Sequence, residues 1–327
     1  MRLTTLGCVV LGVAASSALA QTKPAGGEYP NRVVRVILPQ PAGGGTDTVT
    51  RTIATKLTEA WGQQVIVDNR PGANGIIGAE AVVKSKPDGY TLLYAFTSML
   101  TINPSIYKTL PYDALRDLAP VGQTVTNQMA LVVNPYLPVR NVKELVALAR
   151  SRPNDLLYGS FGVGNQTHLT TELFRLEAKL RMTHVPYKGE TPSITELVGG
   201  QVALMFSPSA GVTPFVKAGR LRLLATAGDK RSPAFPDTPT MSESGFPGVI
   251  STGWGGLLAP AGTPPDVIQK ISRENARILV TADVRERLAA LGADPTPTTP
   301  EEFTTWVKAE TDKWTRVVKG AGLYQSQ

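Results

Sequence analysis

The stretch VVRVILPQPAGGGTDTVTRTIATKLTEAW, residues 33 to 61, holds the pattern from which the fold follows. Residues 33 to 38 form a short run, apolar except for Arg35, that suits a strand covered on both faces. A turn-rich segment with three consecutive glycines follows, and residues 46 to 61 then carry a helical pattern. Strand, glycine-rich turn and helix make the opening unit of a β-α-β fold.

The unit recurs along the chain. Residues 65 to 68 read as a strand, 76 to 84 as a helix and 91 to 95 as a strand. The rhythm resumes with a strand at 131 to 133, a helix at 142 to 150, a strand at 157 to 158, a helix at 167 to 179 and a strand at 183 to 185. A helix at 191 to 198 follows, then strands at 203 to 206 and 221 to 226 with a helical turn between them. Such alternation predicts parallel sheets flanked by helices, an α/β protein in two units. The units join near residues 118 to 126, and a second crossing falls near 249 to 258, after the turn-rich stretch 232 to 248. The final segment therefore returns to the first unit with helices at 264 to 280, 283 to 291 and 300 to 320. Pro264 and Pro300 suit a first helical turn, where a missing N–H is harmless, with Thr263 and Thr299 as N-caps. The resulting division is lobe 1 at 21–122 plus 254–327 and lobe 2 at 123–253, with no repeat, low-complexity tract or heptad seam.

The amino terminus predicts export. Met1 and Arg2 precede an apolar run at residues 6 to 13, and Ala18-Leu19-Ala20 closes a secretory signal at 1–20. That run is too short to span a bilayer, and no later segment is long enough either. Cys8, the single cysteine, lies within the signal, so the mature chain of 307 residues (327 − 20) has no disulfide, thiolate or thiol nucleophile. Its formal charge of +7 becomes +6 without Arg2 and is mixed along the chain, which implies a mild pull on anions and no nucleic-acid surface.

Two glycine-rich loops are candidate anion cradles. In PAGGGTD, residues 41 to 47, Ala42 is a candidate ligand contact, the three consecutive glycines from Gly43 and Gly44 to Gly45 let the backbone approach a ligand, and the free amides at the start of the next helix favour an anion. An ordinary turn capped by Thr46 or Asp47 reads the same way; Asp47 would repel a carboxylate and is assigned to capping and holding the loop, with water between it and any ligand. The second cradle is YGSFGVGNQTHL, residues 158 to 169, with Gly159, Gly162 and Gly164 freeing the backbone, Ser160 and Thr167 offering hydroxyls and Asn165 as N-cap. Gln40, Thr97 and Ser98, Tyr187 with Lys188, and Ser207 complete a pocket at the strand ends where ligands of open α/β sheets gather.

Catalytic patterns are sparse. No G-x-S-x-G elbow is present, and His168 and His184 read as structural, without ligand spacing for a metal. A periplasmic hydrolase would need Ser160 with His168, the sole nearby pair of nucleophile and base. GANGIIG, residues 72 to 78, does not follow a strand end as a dinucleotide fingerprint should, so no cofactor, metal or catalytic residue is expected.

The successive strings YPNRVVRVILPQPAGGGTDTVTR, VDNRPGANGIIGAE, PDGYTLL, YGSFGVGNQTHL, VPYKG, LVGGQV, PTMSESG and GLLAPAGTP, spread from about residue 29 to 323, resemble the Bug family. These are extracytoplasmic receptors of tripartite tricarboxylate transporters. The resemblance implies a type II periplasmic-binding-protein fold, a Venus flytrap of two α/β lobes joined by two crossing segments. It also implies a monomer in the periplasm, an organic-acid ligand and the permease subunits of a membrane transporter as partners; a sensor kinase is the other partner such a receptor could serve. By motif position, Gly43, Gly44, Thr46 and Asp47, then Thr97 and Ser98, would hold the ligand from lobe 1, and Ser160, Gly162 and Asn165 from lobe 2. Many relatives have an aromatic residue in place of Gln40, a serine or threonine in place of Asn165 and an aspartate in place of Glu196. The Gln40 amide implies a ligand with an additional polar group.

Overall fold

The computed structural model describes residues 28–327, so the expected secretory signal, with Cys8, lies outside the described residues. The opening stretch forms β1 (Val34–Leu38) and α1 (Gly45–Trp61), followed by β2 (Val65–Asn69), α2 (Ile76–Val83) and β3 (Thr91–Phe96). β1 lies parallel to both β2 and β3, with Val36 opposite Val67 and Leu92. Its apolar run is needed because both faces are covered. Val36 and Leu38 pack with Val49, Ile53 and Leu57 of α1, and Ile37 packs with Ala79 and Val82 of α2.

A π-helical turn at Ser98–Ile102 and the short α3 (Asn103–Ile106) lead to β4 (Leu118–Val133). The second wing contains α4 (Val142–Ser151), β5 (Leu157–Ser160), α5 (Gln166–Glu177), β6 (Thr183–Pro186) and α6 (Glu190–Val198). It is completed by β7 (Leu204–Pro208), α7 (Ser209–Lys217) and β8 (Arg222–Thr226). The chain returns through β9 (Thr252–Pro260) to α8 (Pro265–Leu279), α9 (Ala282–Ala290), β10 (Asp294–Pro295) and α10 (Pro300–Gly320).

The strands form one sheet in the order β2-β1-β3-β9-β4-β7-β5-β6, with β8 and β10 also paired to β4. The outer strands of each wing are parallel, as expected, but the centre is antiparallel. β4 pairs with β9 along residues 118 to 128 and with β7 and β8 along 129 to 133. Only residues 131 to 133 of β4 were legible as a strand. Its first half contains Pro120, Gly122 and a polar run, and the register shifts twice there, between Pro120 and Gly122 and between Gln123 and Val125. The segment expected to be a joint near 118 to 126 is thus a strand shared by both wings.

Two capping expectations change. The N-cap of α8 is Pro264, with Pro265 in the first turn, so Thr263 stands outside the helix and bonds its hydroxyl to Pro260 O. The N-cap of α1 is Gly44 without a side-chain cap, so neither Thr46 nor Asp47 caps that helix. At α10 the reading holds: Thr299 and Glu302 form a capping box with Pro300 following.

Candidate functional site

The ends of β1, β3, β5 and β7 point their connections toward the middle of the sheet, where β4 and β9 run side by side. There the two wings enclose a cavity of about 50 Å³, lined by Gln40, Thr46, Thr97, Ser98, Asn127 and Asn165 among polar residues and by Val49, Phe96, Met129 and Phe161 among apolar ones. Outside it lies a cleft of about 550 Å³ whose walls include Gly72, Asn74, Gly162, Tyr187 and Lys188. Gln40 and Phe161 border both spaces.

Donors without a charge supply the polarity. Thr97 and Ser98 are 1 % and 2 % exposed, and each oxygen accepts a backbone N–H, Thr97 from Trp254 at 3.1 Å and Ser98 from Gln166 at 3.0 Å, which leaves each hydroxyl proton free to donate. Asn127 Oδ1 is buried without a partner among the described residues. It offers an acceptor to a ligand or a water. None of the described residues lining this cavity is charged at neutral pH.

The first loop is arranged differently from the expectation. Gly43, at φ +84°, takes the backbone conformation that favours glycine, and its amide donates to Asp47 at 3.0 Å. Asp47 also accepts from Arg51 at 2.9 Å and Asn69 at 2.9 Å. Burial alone would raise its carboxyl, but these bonds hold it below the usual range. Asp47 therefore braces the loop and stands outside the cavity lining. Ala42 and Gly43 are exposed, and Ala42 O accepts from Thr191 of the opposite wing at 3.2 Å. The helix-start amides expected to be free are occupied. Gly45 N–H donates to Glu190 Oε1 at 2.9 Å, and Thr46 donates to Glu190 Oε2 through its amide at 3.4 Å and its hydroxyl at 3.3 Å.

The second loop is equally engaged. Asn165 caps α5 by accepting from Thr167 N–H and reaches across to donate to Asn74 Oδ1 at 2.8 Å. Gly162 lines the outer cleft at φ +135°. Ser160 is fully buried and lies 2.6 Å from His184 Nε2, so the serine pairs with His184 and not with His168. The two imidazoles stack at 3.9 Å, with Tyr158 stacked on His184 at 4.9 Å. Burial, then the neighbouring His168, pushes His184 down to about 4. Burial also lowers His168, whose Nδ1 accepts from Gly164 N–H at 3.1 Å. Ser207 is fully buried on β7 opposite Ala130, outside the cavity lining.

Of the residues singled out in the sequence, Gln40, Thr46, Thr97, Ser98, Asn165 and Thr167 meet around the inner cavity; Gln40, Gly162, Tyr187 and Lys188 meet around the cleft. Asn74, Asn127, Gln166 and Glu190 escaped sequence reasoning. Asn74 carries a signal, an Asn-Gly pair within GANGIIG, and sits at φ +52° facing the cleft with its amide donating to Asn103 Oδ1 at 2.7 Å. The others lie on strands or helix starts with no local mark.

Residues 49–323 match the model of the tripartite tricarboxylate transporter family receptor. The chain belongs to that family. The receptor is 36% identical to Protein BugT of Bordetella pertussis (strain Tohama I) over 98% of this chain and 99% of BugT. Its fold is similar to that of R. palustris Rpa4515, solved with adipate (TM-score 0.88, 35% identity, 90% of this chain and 99% of that one). It is also similar to the periplasmic binding protein BugD (TM-score 0.86, 32% identity, 90% and 99%). The receptor accordingly has the periplasmic-binding-protein fold expected of it, with two α/β wings as its lobes.

Proposed function

We propose that this receptor captures a small organic carboxylate, a di- or tricarboxylate or an aromatic acid, between its lobes in the periplasm and delivers it to the permease subunits of a tripartite tricarboxylate transporter. One observation carries the reading. Neutral donors from lobe 1 (Thr97, Ser98, Gln40) and side chains from lobe 2 (Asn165, Gln166) converge on a cavity between the wings, with apolar walls to hold a carbon skeleton. Hydrogen bonds to an ionised acceptor are about twice as strong as neutral ones, so hydroxyls and amides can hold a carboxylate without an arginine. The adipate complex of Rpa4515 supports an organic acid as ligand. The moving bodies in this reading are 21–122 with 254–327 and 123–253, hinged on β4 and β9.

The receptor acts here as a binding protein and not as an enzyme. Ser160 is fully buried and does not line the cavity, and its partner His184 titrates at about 4, far from the range of an efficient general base at neutral pH. A thermal scan against a panel of organic acids tests capture. A ligand at about 100 times its Kd adds about 2.7 kcal/mol of stability and a clear rise in melting temperature. No shift with any acid refutes capture, and turnover of an ester beyond one equivalent refutes the binding-only role.

A further inference from the structure

The acid position at the start of α1 is already filled, by the protein itself. Glu190, the first residue of α6, is 1 % exposed and reaches across the interface between the wings. Its two oxygens take the Gly45 amide, the Thr46 amide and the Thr46 hydroxyl, at 2.9, 3.4 and 3.3 Å. α1 is 17 residues long, and its first turn is a favourable place for a carboxylate.

The surroundings are fitted to that side chain. A Cβ on Gly44 would stand 2.7 Å from Glu190 Oε2, and one on Gly211 would stand 3.1 Å from Glu190 Cδ. Glycine at both positions leaves the room that the carboxyl group occupies. The site also adjoins the inner cavity, because Thr46, which binds Glu190, and Ala210, which precedes Gly211, both line it. A ligand in the cavity thus meets hydroxyls and amides near Thr97, Ser98 and Asn127, and a carboxyl group of the protein at the α1 end.

We propose that Glu190 is a specificity-determining residue: it plugs the acid position of the first cradle when the lobes close, so that the captured ligand carries a single carboxylate on an apolar or hydroxylated body. The inference rests on the capture of an organic carboxylate and, within that reading, favours monoacids, aromatic ones included, over di- and tricarboxylates. A second ligand carboxylate would find the α1 amides taken, no cationic side chain among the described lining residues, and another carboxyl group nearby. Two carboxyl groups in such proximity disfavour one another in their ionised forms.

Calorimetric titration with matched acids tests this: hexanoate against adipate, butyrate against succinate, and benzoate against terephthalate. The wild-type protein is expected to bind the monoacid of at least one pair tenfold or more tightly than the diacid. Glu190→Ala opens the plugged position, and the diacid-to-monoacid affinity ratio is expected to rise at least tenfold. Glu190→Gln keeps the plug, and the preference is expected to stay with the monoacid. Circular dichroism and melting curves establish that each variant folds, and the wild-type ratio stands as a test without any variant. Wild-type preference for the diacid in every pair that binds overturns the proposal, as does a ratio unmoved by Glu190→Ala. Failure of every acid to bind overturns the capture reading itself.

Discussion

The stacked histidines allow a quantitative test of their structural role. His184 is half-buried between Tyr158, His168 and Ser160, and nearby Glu172, which would favour the imidazolium, is committed to Arg175 at 2.6 Å and to Tyr158 at 2.6 Å. The folded ring titrates at about 4, whereas an unfolded chain returns it to about 6.5. The unfolded state therefore binds more protons between these values. Stability from this ring is fully present above about pH 6.5 and is lost as pH falls toward about 4. Between pH 8 and pH 5 the linkage amounts to about 2 kcal/mol, which solvent at the exposed edge of the ring reduces to about 1 to 1.5 kcal/mol.

Carboxyl groups also titrate in this span, and those raised by burial, such as Glu190 and Asp294, act in the opposite direction. The comparison is therefore with His184→Gln, which leaves the carboxyl groups in place. Urea unfolding at pH 8, 6.5 and 5 should show the variant losing about 1 to 1.5 kcal/mol less than wild type on acidification. Equal losses in the two proteins, or a ring titration by NMR at or above 6.5 in the folded state, refute the account.

Three further outcomes follow from particular contacts. Gly45→Ala would drive a Cβ into the backbone of Ala210 and Gly211, so small-angle scattering should show the lobes held apart and acid affinity at least tenfold weaker in calorimetry. Thr97→Val with Ser98→Ala removes two hydroxyl donors from the cavity and the acceptors of the Trp254 and Gln166 amides; at about 1.5 to 3 kcal/mol for each hydrogen bond to a charged group, ligand affinity should fall by a hundredfold or more, with melting curves showing a lowered stability from the two orphaned amides. Thr299→Ala removes the side-chain half of the α10 capping box and should lower stability by about 1 kcal/mol in chemical denaturation, with ligand affinity unchanged.

Family membership follows from the order of the motifs, and the α/β rhythm from local patterns that need no tertiary contact. β1 with α1 was legible because a strand covered on both faces must be apolar, and a chain leaving it through Gly43 at φ +84° needs glycine there. Asn165 and Thr299 as N-caps are equally local, since capping joins residues two or three apart. Such features are written where they act.

The tertiary structure decided what those features do. The amides after Gly44 read as a free anion cradle because sequence shows donors and not what fills them; Glu190, 145 residues from Gly45, became their partner only when the wings met. Ser160 was matched with His168 because they are near in sequence, yet β5 and β6 lie side by side and bring His184 to it instead. The first half of β4 was missed for the same reason. A strand that contains Pro120 and Gly122 is held by its neighbours β9 and β7 on either side, and pairing energy of that kind comes from segments far away along the chain.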